Sequence, residues 1–222
     1  MFRIIAEKHQ FLNFYGADTV TNSPGFEEFI YHLFIDSEGR VWYGSEDFGF
    51  FDYRENRFLN YTTDKDVPGS DIKIKYLQSI IQTHDGNIWL GTEKNGIAVI
   101  RVSDRKLSFI KSFTIKNGLE SNDIQEMAVD HEGNVWVLTG NGLSRIFTGN
   151  DNVENYGFQH GLSGLRGLTV IPGNKIIIGS KRGFYCFDPG SVSPFRIPAK
   201  PYIRSFSIFD EPMDFNQQID SS

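Results

Sequence analysis

Residues 130–142 read "DHEGNVWVLTGNG", an acidic turn, a tryptophan and a second glycine turn in close succession. The same stretch occurs twice more. Residues 84–96 read "HDGNIWLGTEKNG" and residues 36–49 read "DSEGRVWYGSEDFG". Gly39, Gly86 and Gly133 are spaced 47 residues apart, and Trp42, Trp89 and Trp136 keep the same step. A weaker copy, "GNKIIIGSKRG" at 173–183, begins 40 residues after Gly133 and is expected to put Ile176 in the tryptophan place. Upstream, "HQFLNFYGADTV" (9–20) sits 47 residues before "NRFLNYTTDKDV" (56–67). Self-similarity at this period marks a repeat architecture.

Each copy reads as strands. In the third, 124–130 is a first strand, and Gly133 is free to turn it with positive φ. Residues 134–139 form a second strand, and Asn141-Gly142 favours a hairpin turn. Residues 143–147 and 153–158 complete the unit, and the segments 116–123 and 159–166 link it to its neighbours. Four antiparallel strands per 40–47 residues is the pattern of a β-propeller blade. The fold class expected is therefore all-β, with each tryptophan packed between neighbouring blades.

Composition agrees. Twenty phenylalanines and 22 glycines suit short strands and tight turns better than long helices. The net charge is -6 with no basic cluster, which argues against a nucleic-acid partner. A single cysteine, Cys186, excludes an intrachain disulfide. The start has no apolar signal region and no run of 18 apolar residues occurs, so no membrane contact is expected of this segment.

The repeated motif resembles the two-component regulator propeller repeat. Trp42-Tyr43-Gly44-Ser45 and Trp89-Leu90-Gly91-Thr92 follow its pattern closely. Trp136-Val137-Leu138-Thr139 departs from it, with Leu where Gly is usual. Gly118 to Ile124, "GLESNDI", resembles the family's linker. The tail "KPYIRSFSIFDEPMDF" (200–215) is similar to the first hairpin of the Ig-like three-tyrosine module that follows such propellers. The resemblance implies a periplasmic sensor region of a Bacteroidetes-type hybrid histidine kinase or related regulator. It also implies an oligosaccharide ligand, contact with the rest of the receptor chain and a homodimer in the full receptor.

The organisation expected is a propeller over 1–198 and the start of the sandwich module or a linker over 199–222. Within the propeller, 1–28 is a partial blade and four blades follow at about 29–75, 76–122, 123–163 and 164–198. The first segment supplies only third and fourth strands. The chain reads as an open arc cut from a larger ring, with a closed four-bladed ring as the alternative.

Chemistry-bearing clusters are sparse. Asp36, Glu38, Asp130 and Glu132 invite a calcium reading, but two carboxylates per turn are too few, and side-chain capping of the turns accounts for them. The five histidines lack zinc spacing, and no nucleophile elbow or phosphate loop is present. No metal, cofactor or catalytic residue is therefore expected. Ligand-binding groups are sought where linkers enter the innermost strands, at Lys73, Tyr76, Asn122, Asp123 and Arg166. Non-catalytic sensing is the leading reading, with a propeller lyase or glycosidase, or a protein-interaction scaffold, as alternatives.

Overall fold

The computed structural model describes residues 2–5, 10–13, 17–18, 23–24, 30–45, 47–53, 57–61, 74–103, 106–157, 162, 164–192, 207–208 and 211–212. The first strands form two hairpins, β1 (Phe2–Ile5) with β2 (Gln10–Asn13) and β3 (Ala17–Asp18) with β4 (Ser23–Pro24). Four meanders follow. The first comprises β5 (His32–Ile35), β6 (Val41–Gly44), β7 (Phe48–Asp52) and β8 (Arg57–Tyr61). The second comprises β9 (Leu77–Gln82), β10 (Ile88–Thr92), β11 (Ile97–Ser103) and β12 (Lys106–Phe113). The third holds β13 (Ile124–Val129), β14 (Val135–Thr139), β15 (Leu143–Phe147) and β16 (Asn152–Tyr156). Among the described residues the fourth has three strands, β17 (Leu165–Ile171), β18 (Lys175–Ser180) and β19 (Gly183–Phe187). A short hairpin, β20 (Ser207–Ile208) with β21 (Glu211–Pro212), lies in the tail. The rest of the tail expected to open a sandwich lies outside the described residues.

Every sheet is an antiparallel meander in sequence order, and the first strands β5, β9, β13 and β17 adjoin in succession. That is a blade arrangement, with first strands nearest the axis. The turns between first and second strands are built alike. Gly39, Gly86 and Gly133 have φ of 81°, 81° and 85°, a region costly for any residue with a Cβ.

The three tryptophans sit on the second strands β6, β10 and β14, and each faces the next sheet. Their exposures are 0%, 2% and 0%. Trp42 packs with Phe50 against Leu77, Ile80 and Ile88. Trp89 stacks on Phe113 and meets Ile124, Met127 and Val137. Trp136 stacks on Tyr156 and meets Leu168, Ile176 and Ile178. At about 25 cal/mol per Å² over roughly 150–250 Å², each burial contributes about 4–6 kcal/mol of transfer free energy.

The acidic turns orient these tryptophans. Trp42 Nε1 donates to Asp36 Oδ2 at 2.8 Å and Trp136 Nε1 donates to Asp130 Oδ2 at 3.0 Å. In the second sheet Thr83 stands in the same place, and its hydroxyl accepts from Trp89 Nε1 at 3.1 Å. The other oxygens of Asp36 and Asp130 accept backbone N–H groups of their own turns, from Glu38 and Arg40 and from Glu132 and Asn134. Both carboxylates are thus used inside the turn. Asp85 plays a supporting part beside Thr83. Burial works against its charged form, but hydrogen bonds from Thr83 and Asn87, with Arg101 nearby, hold its carboxyl below the ordinary range.

The glycine two places after the tryptophan sets how closely sheets approach. A Cβ on Gly44 would lie 2.7 Å from Leu77 Cβ, and one on Gly91 would lie 2.6 Å from Ile124 Cγ2. The third copy carries Leu138 there instead, and it is buried between the third and fourth sheets. The departure from the motif therefore accompanies a different interface, filled by a side chain rather than closed by a glycine.

One expectation is corrected. The tryptophan place in the fourth sheet belongs to Ile177, not Ile176. Thr169 pairs with Ile177 as Ala128 pairs with Trp136, so the copies are offset by one residue more than the glycines indicate. The misleading signal is Gly173, because Asn174 takes the place of Gly133 and also has positive φ, 56°. Register likewise puts Ile171 where Asp130 stands and Cys186 where Arg145 stands. The Asp–Trp–Arg set of the third sheet is thus replaced as a set. Two faces at the ends of the series carry exposed apolar groups, Leu33 and Ile35 on β5 (56% and 67%) and Phe184 on β19 (71%).

Candidate functional site

Antiparallel meanders bring two kinds of segment to one rim, the linker into each first strand and the turn after each second strand. Between the third and fourth sheets this rim is hollow. One cavity of about 290 Å³ is lined by Asp123, Gln125, Gly140, Asn141, Arg166 and Lys181, among others. A second, of about 380 Å³, reaches the second sheet and is lined by Gln78, Glu93, Asp123, Gln125, Glu126 and Arg166, among others. Asp123, Gln125 and Arg166 line both.

Local backbone irregularity aims these groups. β13 shifts register between Ile124 and Glu126, and β17 shifts between Arg166 and Leu168. A bulge re-aims the side chains around it. Gly164 and Gly167, with φ of 60° and 67°, shape the chain on either side of Arg166. The two bulges are tied together, since Glu126 Oε2 accepts from Leu168 N–H at 2.7 Å. Arg166 Nη1 donates to Gln125 Oε1 at 3.2 Å. Asp123 lies over Gly140, where an added Cβ would come within 2.4 Å of Oδ2. Lys181 drapes its stem over Gly164. On the neighbouring first strand β5, burial lowers the pKa of His32, while a backbone hydrogen bond with Ile80 and the charge of Glu126 pull it the other way.

Among the sequence-derived candidates, Asp123 and Arg166 are brought together here. Asn122 is tied to the preceding sheet. Its backbone carbonyl accepts from Gly96 N–H at 3.0 Å, and its Oδ1 accepts from Ile115 N–H at 2.8 Å. Tyr76 bends the chain into β9 with φ of 54°, its carbonyl accepts from Glu93 N–H, and it lines neither cavity. Lys73 lies outside the described residues. Sequence reasoning missed Gln125, Glu126, Glu93 and Lys181. Glu93 and Lys181 were legible in principle, because the residue after a second strand must face the linker into the first. Gln125 and Glu126 were not, because the bulge breaks the simple alternation. Among the described residues no group of three or more His, Cys, Asp or Glu side chains converges as a metal site would require.

The two-component regulator propeller family matches residues 72–94 and 118–141. No curated protein matches the chain. Among solved structures, the extracellular domain of a B. thetaiotaomicron protein superposes in two crystal structures. One, described as a hybrid two-component system, has TM-score 0.65 at 21% identity and covers 74% of this chain and 23% of that one. The other, described as a one-component system, has TM-score 0.70 at 20% identity and covers 86% and 27%. A catalytically inactive histidine-to-alanine variant of virginiamycin B lyase from Staphylococcus aureus, with quinupristin, has TM-score 0.51 at 19% identity, covering 83% and 61%. The chain thus spans about a quarter of the first two structures, and at these identities the likeness concerns the fold alone. Residues 72–94 and 118–141 are two-component regulator propeller repeats, and the sheets that carry them are blades of a β-propeller.

Proposed function

We propose that this chain is a non-catalytic, extracytoplasmic sensing segment of a two-component receptor, and that it binds an oligosaccharide in the rim cavities lined by its second, third and fourth sheets. The carrying observation is that Asp123, before β13, and Arg166, at the start of β17, line both cavities with the neutral amide of Gln125, joined in the smaller by that of Asn141. Hydroxyl-rich ligands are recognised by such convergent polar groups in a concave site. The family match supports the sensory setting, and the fold shared with extracellular domains of signalling proteins supports the location. In the full receptor the segment would work with the rest of the receptor chain and a second copy.

The lyase-like fold makes an enzymatic reading worth testing, although among the described residues no histidine lines either cavity. Calorimetric titration of the chain with a panel of oligosaccharides tests the proposal. Binding without product release, lost in Asp123→Asn, is expected. Gly140→Ala should weaken it as well, since the new methyl displaces the Asp123 carboxylate. Turnover of any panel member, or binding indifferent to both variants, would refute the assignment.

A further inference from the structure

We infer that the cleft selects ligands carrying an anionic group, a uronate carboxylate or a sulfate ester, beside free hydroxyls. This rests on the ligand-binding reading above and specifies its chemistry. The chain carries a net charge of -6, so a cationic concavity is not its background. Yet among the described residues the charged lining of the smaller cavity is Arg166 and Lys181 against Asp123. Arg166 donates to the neutral Gln125, and among the described residues neither cation takes part in an ion pair. Elsewhere the chain does pair the basic groups it sets into concave or buried places. Arg145 contacts Asp130 and Glu132 at 3.1 and 3.0 Å, and Arg40 contacts Asp36 at 2.6 Å. Arg166 and Lys181 are themselves solvent-exposed and line one hollow, where they can hold an anion from the ligand by charge-assisted hydrogen bonds.

The second cavity gives the orientation. There Glu93 and Glu126 join Asp123, so among the described residues three carboxylates share the lining with one guanidinium. An anionic group is repelled from the carboxylate-lined cavity and favoured in the one lined by Lys181. The remaining sugar, with its hydroxyls, is directed past Arg166 toward the carboxylates, which accept O–H donors. The lysine stem packs beside Gly164, its Cγ 3.5 Å from where a Cβ would be, an ordinary contact distance.

The test is an array of neutral, uronate-containing and sulfated oligosaccharides probed with the wild-type chain, Lys181→Gln and Asp123→Asn, each checked for an unchanged melting curve. Expected is binding confined to acidic glycans, weakened about tenfold by Lys181→Gln and reduced by raising the salt from about 0.05 to 0.5 M. Uronates and sulfates occupy separate arms, and binding in either supports the inference. Neutral glycans bound equally well, lost in Asp123→Asn but not in Lys181→Gln, would overturn the anionic selectivity and leave the site intact. No binding to any glycan, or binding that survives both substitutions, would overturn the site itself and the selectivity with it.

Discussion

Trp136 donates its indole N–H to Asp130 at 3.0 Å, in a place from which both side chains are fully withdrawn from water. The same Asp130 oxygen accepts from Arg145 Nη2 at 3.1 Å. Arg145 in turn lies over the rings of Trp136 and Phe147 and donates to the Pro189 carbonyl beyond the fourth sheet. One carboxylate therefore holds a turn, an indole and a guanidinium.

Asp130→Ala should cost about 3–5 kcal/mol, because it leaves a buried indole donor without its acceptor and takes from Arg145 its buried carboxylate, leaving it the half-exposed Glu132. Thr83→Val removes the acceptor of Trp89 and the hydroxyl donor to Asp85, strands no buried cation and should cost about 1–3 kcal/mol. Urea titrations of the two variants measure the difference. Equal losses would show that Arg145 gains nothing from Asp130.

Positions 91 and 138 are equivalent in the repeat, yet substitutions there should fail for opposite reasons. Gly91→Ala drives a methyl against Ile124 and Met127, an overpacking cost of about 1–3 kcal/mol. Leu138→Ala opens a cavity against the fourth sheet and should cost about 2–5 kcal/mol. A stable Gly91→Ala variant with an unchanged melting curve would contradict the close approach of the second and third sheets.

This pair also shows what the sequence made legible. The spacing of Trp42, Trp89 and Trp136 and the turn glycines revealed the blades, because a repeated interface demands repeated chemistry. The departure at Leu138 was visible too, though its cause was not, since that depends on where the next sheet lies. The site was harder. Asp123 and Arg166 were found by placing linkers near the axis, but the bulges that set Gln125 and Glu126 beside them leave no trace in hydrophobic periodicity. The fourth copy misled through Gly173, because a turn glycine can slide by one residue while strand register cannot.

His32 predicts a mild acid sensitivity. Burial lowers its pKa from the ordinary 6.5, with the Ile80 backbone and Glu126 opposing. The unfolded chain therefore takes up a proton first as pH falls below 6.5, and stability declines from there toward the lower folded value. Melting midpoints measured from about pH 7.5 to 5.5 should fall, and fall less in His32→Asn. A variant with the same slope as wild type would remove His32 from the account.

The outward faces of β5 and β19 predict association. Leu33, Ile35 and Phe184 are more than half exposed, whereas their counterparts facing a neighbouring sheet are covered. Light scattering of the chain should show self-association, reduced by Leu33→Lys together with Ile35→Lys. A monodisperse monomer that binds no apolar dye would favour a closed ring over an open arc.

The hydrogen bond that aims each tryptophan comes from six residues earlier in its own sheet, whereas the surface that buries it comes from the next. Aiming the ring thus requires closure of only a short loop, an inexpensive event on the folding timescale. A hairpin can set its indole before the following forty-odd residues have emerged from the ribosome or collapsed. Each new sheet then docks on a knob already in position, so assembly proceeds by nearest-neighbour addition along the chain. The fourth sheet, with Ile171 and Ile177 in place of the acid and the indole, offers no such prepared knob to a successor, and propagation from that side should be slowest.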